Sequence, residues 1–127
     1  MIRLPSSATI IALLLSGAIL QPPSSAQAEK RDAELSELIT AFAYDSGGLY
    51  WLEEGCGVPD ANRLRVDLID VLSPFLVPAS IETNLARFED EYRRRGGGGH
   101  LECHPDWLAT ERKLYLLKKE QLQRWKR

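Results

Sequence analysis

The chain has little of several things, and each scarcity excludes something. Its 127 residues include two cysteines, two histidines and one methionine. Its one extended apolar run, Ala8–Leu20, is broken only by Thr9, Ser16 and Gly17. Thirteen residues are too few to cross a bilayer core of roughly 30 Å. A net charge of −2 argues against a dedicated nucleic-acid binder. No segment alternates with period two, and no Asn-Gly or Asp-Gly marks a hairpin. The G-x-S-x-G, H-E-x-x-H and C-x-x-C-H signatures are absent, so a nucleophile elbow, a zinc-protease helix and a haem attachment have no basis here. There is no internal repeat, and Gly96–Gly99 is the sole low-complexity stretch.

What is present starts at the N-terminus. Met1–Ser7 carries one basic residue, Arg3, ahead of the apolar run. Pro22 and Pro23 should break any helix there, and Ala26-Gln27-Ala28 puts small residues at the two positions a signal peptidase reads. Residues 1–28 therefore read as a cleavable signal peptide and residues 29–127 as a single helical domain, periplasmic or secreted. A retained single-span anchor is the alternative. No Cys follows the run, so lipid attachment at that point is excluded.

The 99 remaining residues suffice for a modest core but gain from a covalent staple. In an oxidising compartment Cys56 and Cys103 read as a disulfide. It would close a loop of about 48 residues, worth roughly 4 kcal/mol if it acts through chain entropy, with Cα atoms about 5–6 Å apart.

Charge is segregated along the mature chain. Residues 29–92 hold 5 basic and 14 acidic groups, and residues 93–127 hold 10 basic and 4 acidic. The two halves can pair with each other, or a basic face can meet a partner.

Four segments repeat apolar residues at helical spacing. The first, from about Asp32 (as N-cap) to Glu54, carries Leu35, Leu38, Ile39, Phe42, Leu49, Leu52 and then Cys56, with Gly55 and Gly57 at its end. Gly47-Gly48 in its middle leaves three readings open: a kink, a split, or the close approach of another helix. The second opens at Pro59 and runs to about Leu72, with Leu64, Leu68, Val71, Leu72 and Phe75 on one side and Pro74 and Pro78 ending it. The third, capped by Ser80, sets Ile81, Leu85, Phe88 and Tyr92 in one inward stripe and stops at Gly96. The fourth begins near Pro105, with Trp107, Leu114, Leu117 and Trp125 on one side and Leu108, Tyr115 and Leu122 beside them. The fold class is all-α: a compact three- or four-helix array closed by one disulfide. The bond ties the end of the first helix to the start of the last, and Phe88 is expected at the centre, against Phe42, Leu68 and Leu114.

Candidate sites are few. His100, Cys103 and His104, with Cys56, contain zinc- or copper-ligand types, but in an exported chain a disulfide with two solvent-facing histidines is the reading taken. Arg93-Arg94-Arg95 before the glycines is similar to RNA-contacting arginine–glycine segments, yet it lacks repeats and aromatics and reads as a solvated helix end. Arg112–Arg127 is basic and amphipathic, with Lys118, Lys119, Arg124, Lys126 and Arg127 around Leu117, Leu122 and Trp125. Such a helix can lie on an anionic membrane, but a terminal bundle helix is the reading taken. Glu53-Glu54 and Glu89-Asp90-Glu91 could supply paired carboxylates for hydrolysis, but neighbours on a helix point apart, and exposed helix charge is expected. No catalytic residue, metal or cofactor is assigned.

Two stretches carry a resemblance. Leu49-Tyr50-Trp51-Leu52-Glu53-Glu54-Gly55-Cys56-Gly57, preceded by Leu35-Ser36-Glu37-Leu38, and Phe88-Glu89-Asp90-Glu91-Tyr92-Arg93, followed by Cys103 and a long last helix, together resemble a family of small exported alphaproteobacterial proteins of unknown function. The likeness covers most of residues 32–122 and departs from the family pattern at Glu89, Asp90 and the glycine run. It implies an all-α exported protein with a disulfide and brings no activity. Size, class and cysteine spacing are also similar to acid-stress periplasmic chaperones of the HdeA type, an analogy at the level of fold. The function expected is a non-enzymatic module binding a protein or cell-envelope partner, with an acid-stress chaperone as the alternative and a small hydrolase third.

Overall fold

The computed structural model describes residues 22–99 and 101–125. The apolar run of the proposed signal peptide and His100 lie outside the described residues. Among the described residues there are four α-helices and no strand: α1 (Pro22–Gly55), α2 (Arg63–Leu72), α3 (Pro78–Arg94) and α4 (Pro105–Trp125). The expected all-α array closed by a disulfide is what forms. The chain divides into two units, Met1–Glu34 and Leu35–Arg127. In the first, residues 25–34 are helical and exposed. The packing described below is that of the second.

Helix starts depart from the sequence reading at three places. Pro22 and Pro23 lie in the first described turn of α1, and the residues that precede them, on which the expected break bears, lie outside the described residues. Asp32 is therefore inside α1 and not its cap. Helix α2 opens at Arg63 and not at Pro59, because Asp60 takes a left-handed φ of 60° and residues 60–65 turn through i to i−3 bonds first. Helix α3 opens at Pro78, whose fixed φ suits the first helical position. Val77 stands at the cap, and Ser80 lies inside the helix, where its carbonyl accepts from Asn84 Nδ2 at 2.8 Å.

Two ends are set by glycine. After α1, Val58 N–H reaches Glu53 O and Gly57 N–H reaches Glu54 O, with Gly57 at φ 67°. After α3, Gly97 N–H reaches Tyr92 O and Gly96 N–H reaches Arg93 O, with Gly96 at φ 96°. Both are Schellman closures, which need a left-handed residue just past the helix.

The core joins Ile39, Phe42, Ala43, Leu49 and Leu52 of α1 with Leu64, Leu68, Val71 and Leu72 of α2, Phe88 of α3, and Leu108, Tyr115 and Leu122 of α4. Phe88 is fully buried as expected, but its stripe is turned. Asn84 and Glu91 are buried beside it while Ile81, Leu85 and Tyr92 are half-buried. Two polar residues sit inward because each is bonded: Asn84 to Ser80, and Glu91 to Arg94 and Arg95.

Helix α4 presents the other of its two apolar sides. Leu108, Tyr115 and Leu122 are buried, whereas Trp107, Leu114 and Leu117 are 54%, 41% and 56% exposed. Leu114 therefore does not cover Phe88. Tyr115 decides the choice. Its ring stacks on Phe42 at 5.2 Å and its hydroxyl donates to Asp67 Oδ2 at 2.9 Å, a pairing that Leu114, its neighbour on the other side, cannot make.

Helix α1 runs unbroken through Gly47-Gly48. Close approach is the reading that holds, since a Cβ on Gly47 would stand 2.2 Å from the carbonyl oxygen of Phe88. In an ordinary exposed helix Gly→Ala stabilises by about 0.5–1 kcal/mol. Gly47→Ala should instead lower the melting midpoint, as α3 is pushed from α1. A rise in midpoint measured by circular dichroism would show that the two helices do not meet there.

Candidate functional site

Cys56 and Cys103 are bonded, with Cα atoms 4.3 Å apart. That is closer than the expected 5–6 Å, and Gly55 is what permits it. A Cβ on Gly55 would lie 2.1 Å from the carbonyl oxygen of Glu102, so the segment entering α4 rests directly on the backbone of α1. The bond thus fixes the first turn of α4 against the last turn of α1.

That junction assembles an aromatic platform. Trp51 lies five residues before Cys56, and Trp107 four after Cys103. His104 stacks on Trp51 with ring centroids 5.5 Å apart and planes at 26°. Trp107 meets both edge-on, at 6.3 Å from Trp51 and 5.3 Å from His104. His104 is therefore not simply solvent-facing. Its side chain is about one-third exposed, and its Nε2 stands 3.5 Å from Glu102 Oε2. Trp107 stays half exposed. A hollow of about 320 Å³ lies between Trp51, Arg94, Arg95 and Trp107. A second, of about 350 Å³, is lined by Cys103, His104, Pro105, Asp106 and Trp107.

Neither tryptophan is singled out as a site by periodicity, which assigns Trp107 to an inward stripe. The legible signal is proximity to the cysteines: once those are paired, residues a turn away on either side must share a surface.

The acidic clusters are not exposed helix charge, and this corrects the sequence reading. Glu53 is fully buried. Arg63 grips it bidentately at 2.8 and 3.0 Å, and Arg112 donates to Oε2 at 3.2 Å. Glu54 accepts the Tyr92 hydroxyl at 2.7 Å, and Glu89 pairs with Arg65. Glu91 is bonded by Arg94 at 2.6 Å and by Arg95 at 2.8 Å, and these guanidiniums hold its carboxyl below the usual range against the opposing effect of burial. Burial, reinforced by Glu54, pushes the Tyr92 phenol up to about 12. Burial likewise raises Tyr115, with Asp67 adding to it. Every carboxylate of these clusters except Asp90 is thus engaged in a pair, a structural use.

The basic segment also turns inward in part. Arg112 reaches Glu53, Lys118 pairs with Asp45, and Lys119 lies 3.3 Å from Asp67 Oδ2, while Arg124 pairs along its own helix with Glu120. Lys126 and Arg127 lie outside the described residues. Among the described residues no three His, Cys, Asp or Glu side chains are grouped to hold a metal ion, and no helix is long and apolar enough to cross a membrane.

No protein-family model, curated protein sequence or solved structure matches this chain.

Glu53 generates a test by asymmetry. Its own side chain has no exposure, whereas Arg63 and Arg112 are 42% and 43% exposed. Removing both arginines strands a buried charge, which should cost about 3–5 kcal/mol. Glu53→Leu should cost less, because both guanidiniums can rehydrate in place. Urea midpoints in the reverse order would mean that Glu53 is not sealed from water.

Proposed function

We propose that this is an exported, non-enzymatic interaction module whose working surface is the platform of Trp51, His104 and Trp107 beside Arg94. Export is supported by the apolar run, the Ala26-Gln27-Ala28 site and the use of both cysteines in a disulfide. The reading of a binding surface rests on one observation above all. Trp107 is 54% exposed while its ring is held edge-on by Trp51 and His104, on a turn anchored by the disulfide. A large side chain kept outward and oriented is already organised for binding, and tryptophan and arginine are the residues most enriched where binding energy concentrates.

The test uses the protein as the producing cell exports it, expected to begin at Glu29. A photo-crosslinking residue at position 107 should give a discrete adduct with an envelope or protein component. The same residue at Leu117, which is as exposed but lies elsewhere on α4, should not. Equal labelling at both positions, or none at 107, would remove the platform from consideration.

A second reading, a chaperone opened by acid, draws support from Glu91. Its carboxyl titrates below the ordinary value of 4.5, so its stabilising share is complete above that value and is lost as pH falls through the lowered one. On this reading hydrophobic-dye binding and client protection rise together as pH falls below the ordinary carboxylate range. A folded, dye-silent monomer at about pH 2–3 would dispose of the chaperone and leave the first reading intact.

A further inference from the structure

Resting on the platform as a binding surface, we propose that its ligand is a neutral saccharide, with a pyranose ring laid on the free face of Trp107 and its hydroxyls engaging Arg94. Four observations lead there. The two hollows that meet at Trp107, about 320 and 350 Å³, are at the low end of small-molecule sites and suit one or two sugar rings.

The second is charge balance. Arg94 and Glu102 are 70% and 63% exposed, and Asp106 is exposed beside them. Arg95 is only 20% exposed and is committed to Glu91 and Glu111. The surface has no excess of positive charge to favour an acidic peptide or an anionic lipid. A neutral, hydrogen-bonding ligand meets no such requirement.

Third, the polar groups that line the two hollows offer hydrogen bonds of both senses. Arg94 spends Nε and one terminal nitrogen on Glu91, which leaves a guanidinium nitrogen to donate. Asp106, exposed and lining the hollow on the other side of Trp107, offers carboxylate oxygens that accept. A hydroxyl both donates and accepts, so a polyol answers a site that offers both. Fourth, the ring of Trp107 is already fixed by two edge contacts, so stacking the apolar C–H face of a sugar on it would cost little ordering.

The test is a titration of the full chain, disulfide intact, followed through the indole N–H resonances of Trp51, Trp107 and Trp125. The probes are chitotriose and maltotriose as neutral sugars, trigalacturonate as an acidic one, and a hexaglutamate peptide. At least one neutral trisaccharide should shift Trp51 and Trp107 saturably and leave Trp125 in place. Trp107→Ala should weaken that binding by about tenfold or more, whereas Leu117→Ala should leave it unchanged. Both positions are half exposed, so both variants should fold, which circular dichroism checks. If neither neutral sugar moves these resonances, or if only trigalacturonate or hexaglutamate does, the proposal is overturned. A crosslink at position 107 without a sugar response would sink the saccharide alone and leave the interaction module standing. Loss of both would sink the two together.

Discussion

The carboxylate of Glu53 lies out of solvent where α1, α2 and α4 meet, and three guanidinium contacts from two helices converge on it. Removing one ion from water costs several kcal/mol even after relaxation, and the return depends on geometry. Here the cost falls on one partner, because both arginines keep more than two-fifths of their exposure. What the triad provides is position. A helix that slipped by one residue would leave the charge unpaired, so α2 and α4 are held in register against α1 by a penalty and not merely by attraction. Tyr115 enforces the same register from the apolar side, with its ring on Phe42 and its hydroxyl on Asp67.

From that register the rest of the molecule follows. With α4 fixed so that Leu108, Tyr115 and Leu122 face the core, Trp107 must fall on the flank. The disulfide then brings that flank against Trp51. In the chain-entropy account, closing a loop of 47 residues is worth roughly 4 kcal/mol, comparable with the net stability of a small domain. Its second effect is local. With Gly55 it brings the backbone at Glu102 onto α1, and His104 lands on Trp51. Ion triad and covalent bond act on the same helix, the first choosing its face and the second seating its end.

Much of this was legible in the sequence, and the parts that were not share a cause. Helix α1 carries one apolar stripe, so Ile39, Phe42, Leu49 and Leu52 could be assigned inward, and the left-handed glycines at 57 and 96 mark where helices end. Helix α4 carries two apolar stripes side by side, Trp107, Leu114, Leu117 and Trp125 in one and Leu108, Tyr115 and Leu122 in the other. Hydrophobic spacing cannot rank them, because the deciding groups, Asp67 and Glu53, belong to other helices. Pro59 and Ser80 look like helix starts by local preference, but the φ of Asp60 and the ring of Pro78 decide each start nearby. Periodicity reads burial along one helix, and whatever is set by a polar partner on another is invisible to it. The platform depends on the same choice of face: once Tyr115 has turned α4, Trp107 falls on the flank, where the disulfide brings Trp51 against it.

Charge segregation finds its explanation in the same network. The basic end of the chain does not form a uniform positive face, because Arg112, Lys118 and Lys119 turn back to Glu53, Asp45 and Asp67 across α1 and α2. These are pairs of long sequence separation, and in water each half alone would repel itself. Pairing them ties the last helix electrostatically to the first two. It also leaves the surface near the disulfide close to charge balance, with Arg94 on one side and Glu102 and Asp106 on the other. The binding surface proposed above would therefore discriminate by shape and hydrogen bonding and not by long-range attraction. Two oriented tryptophans in a small helical protein are suited to that kind of recognition.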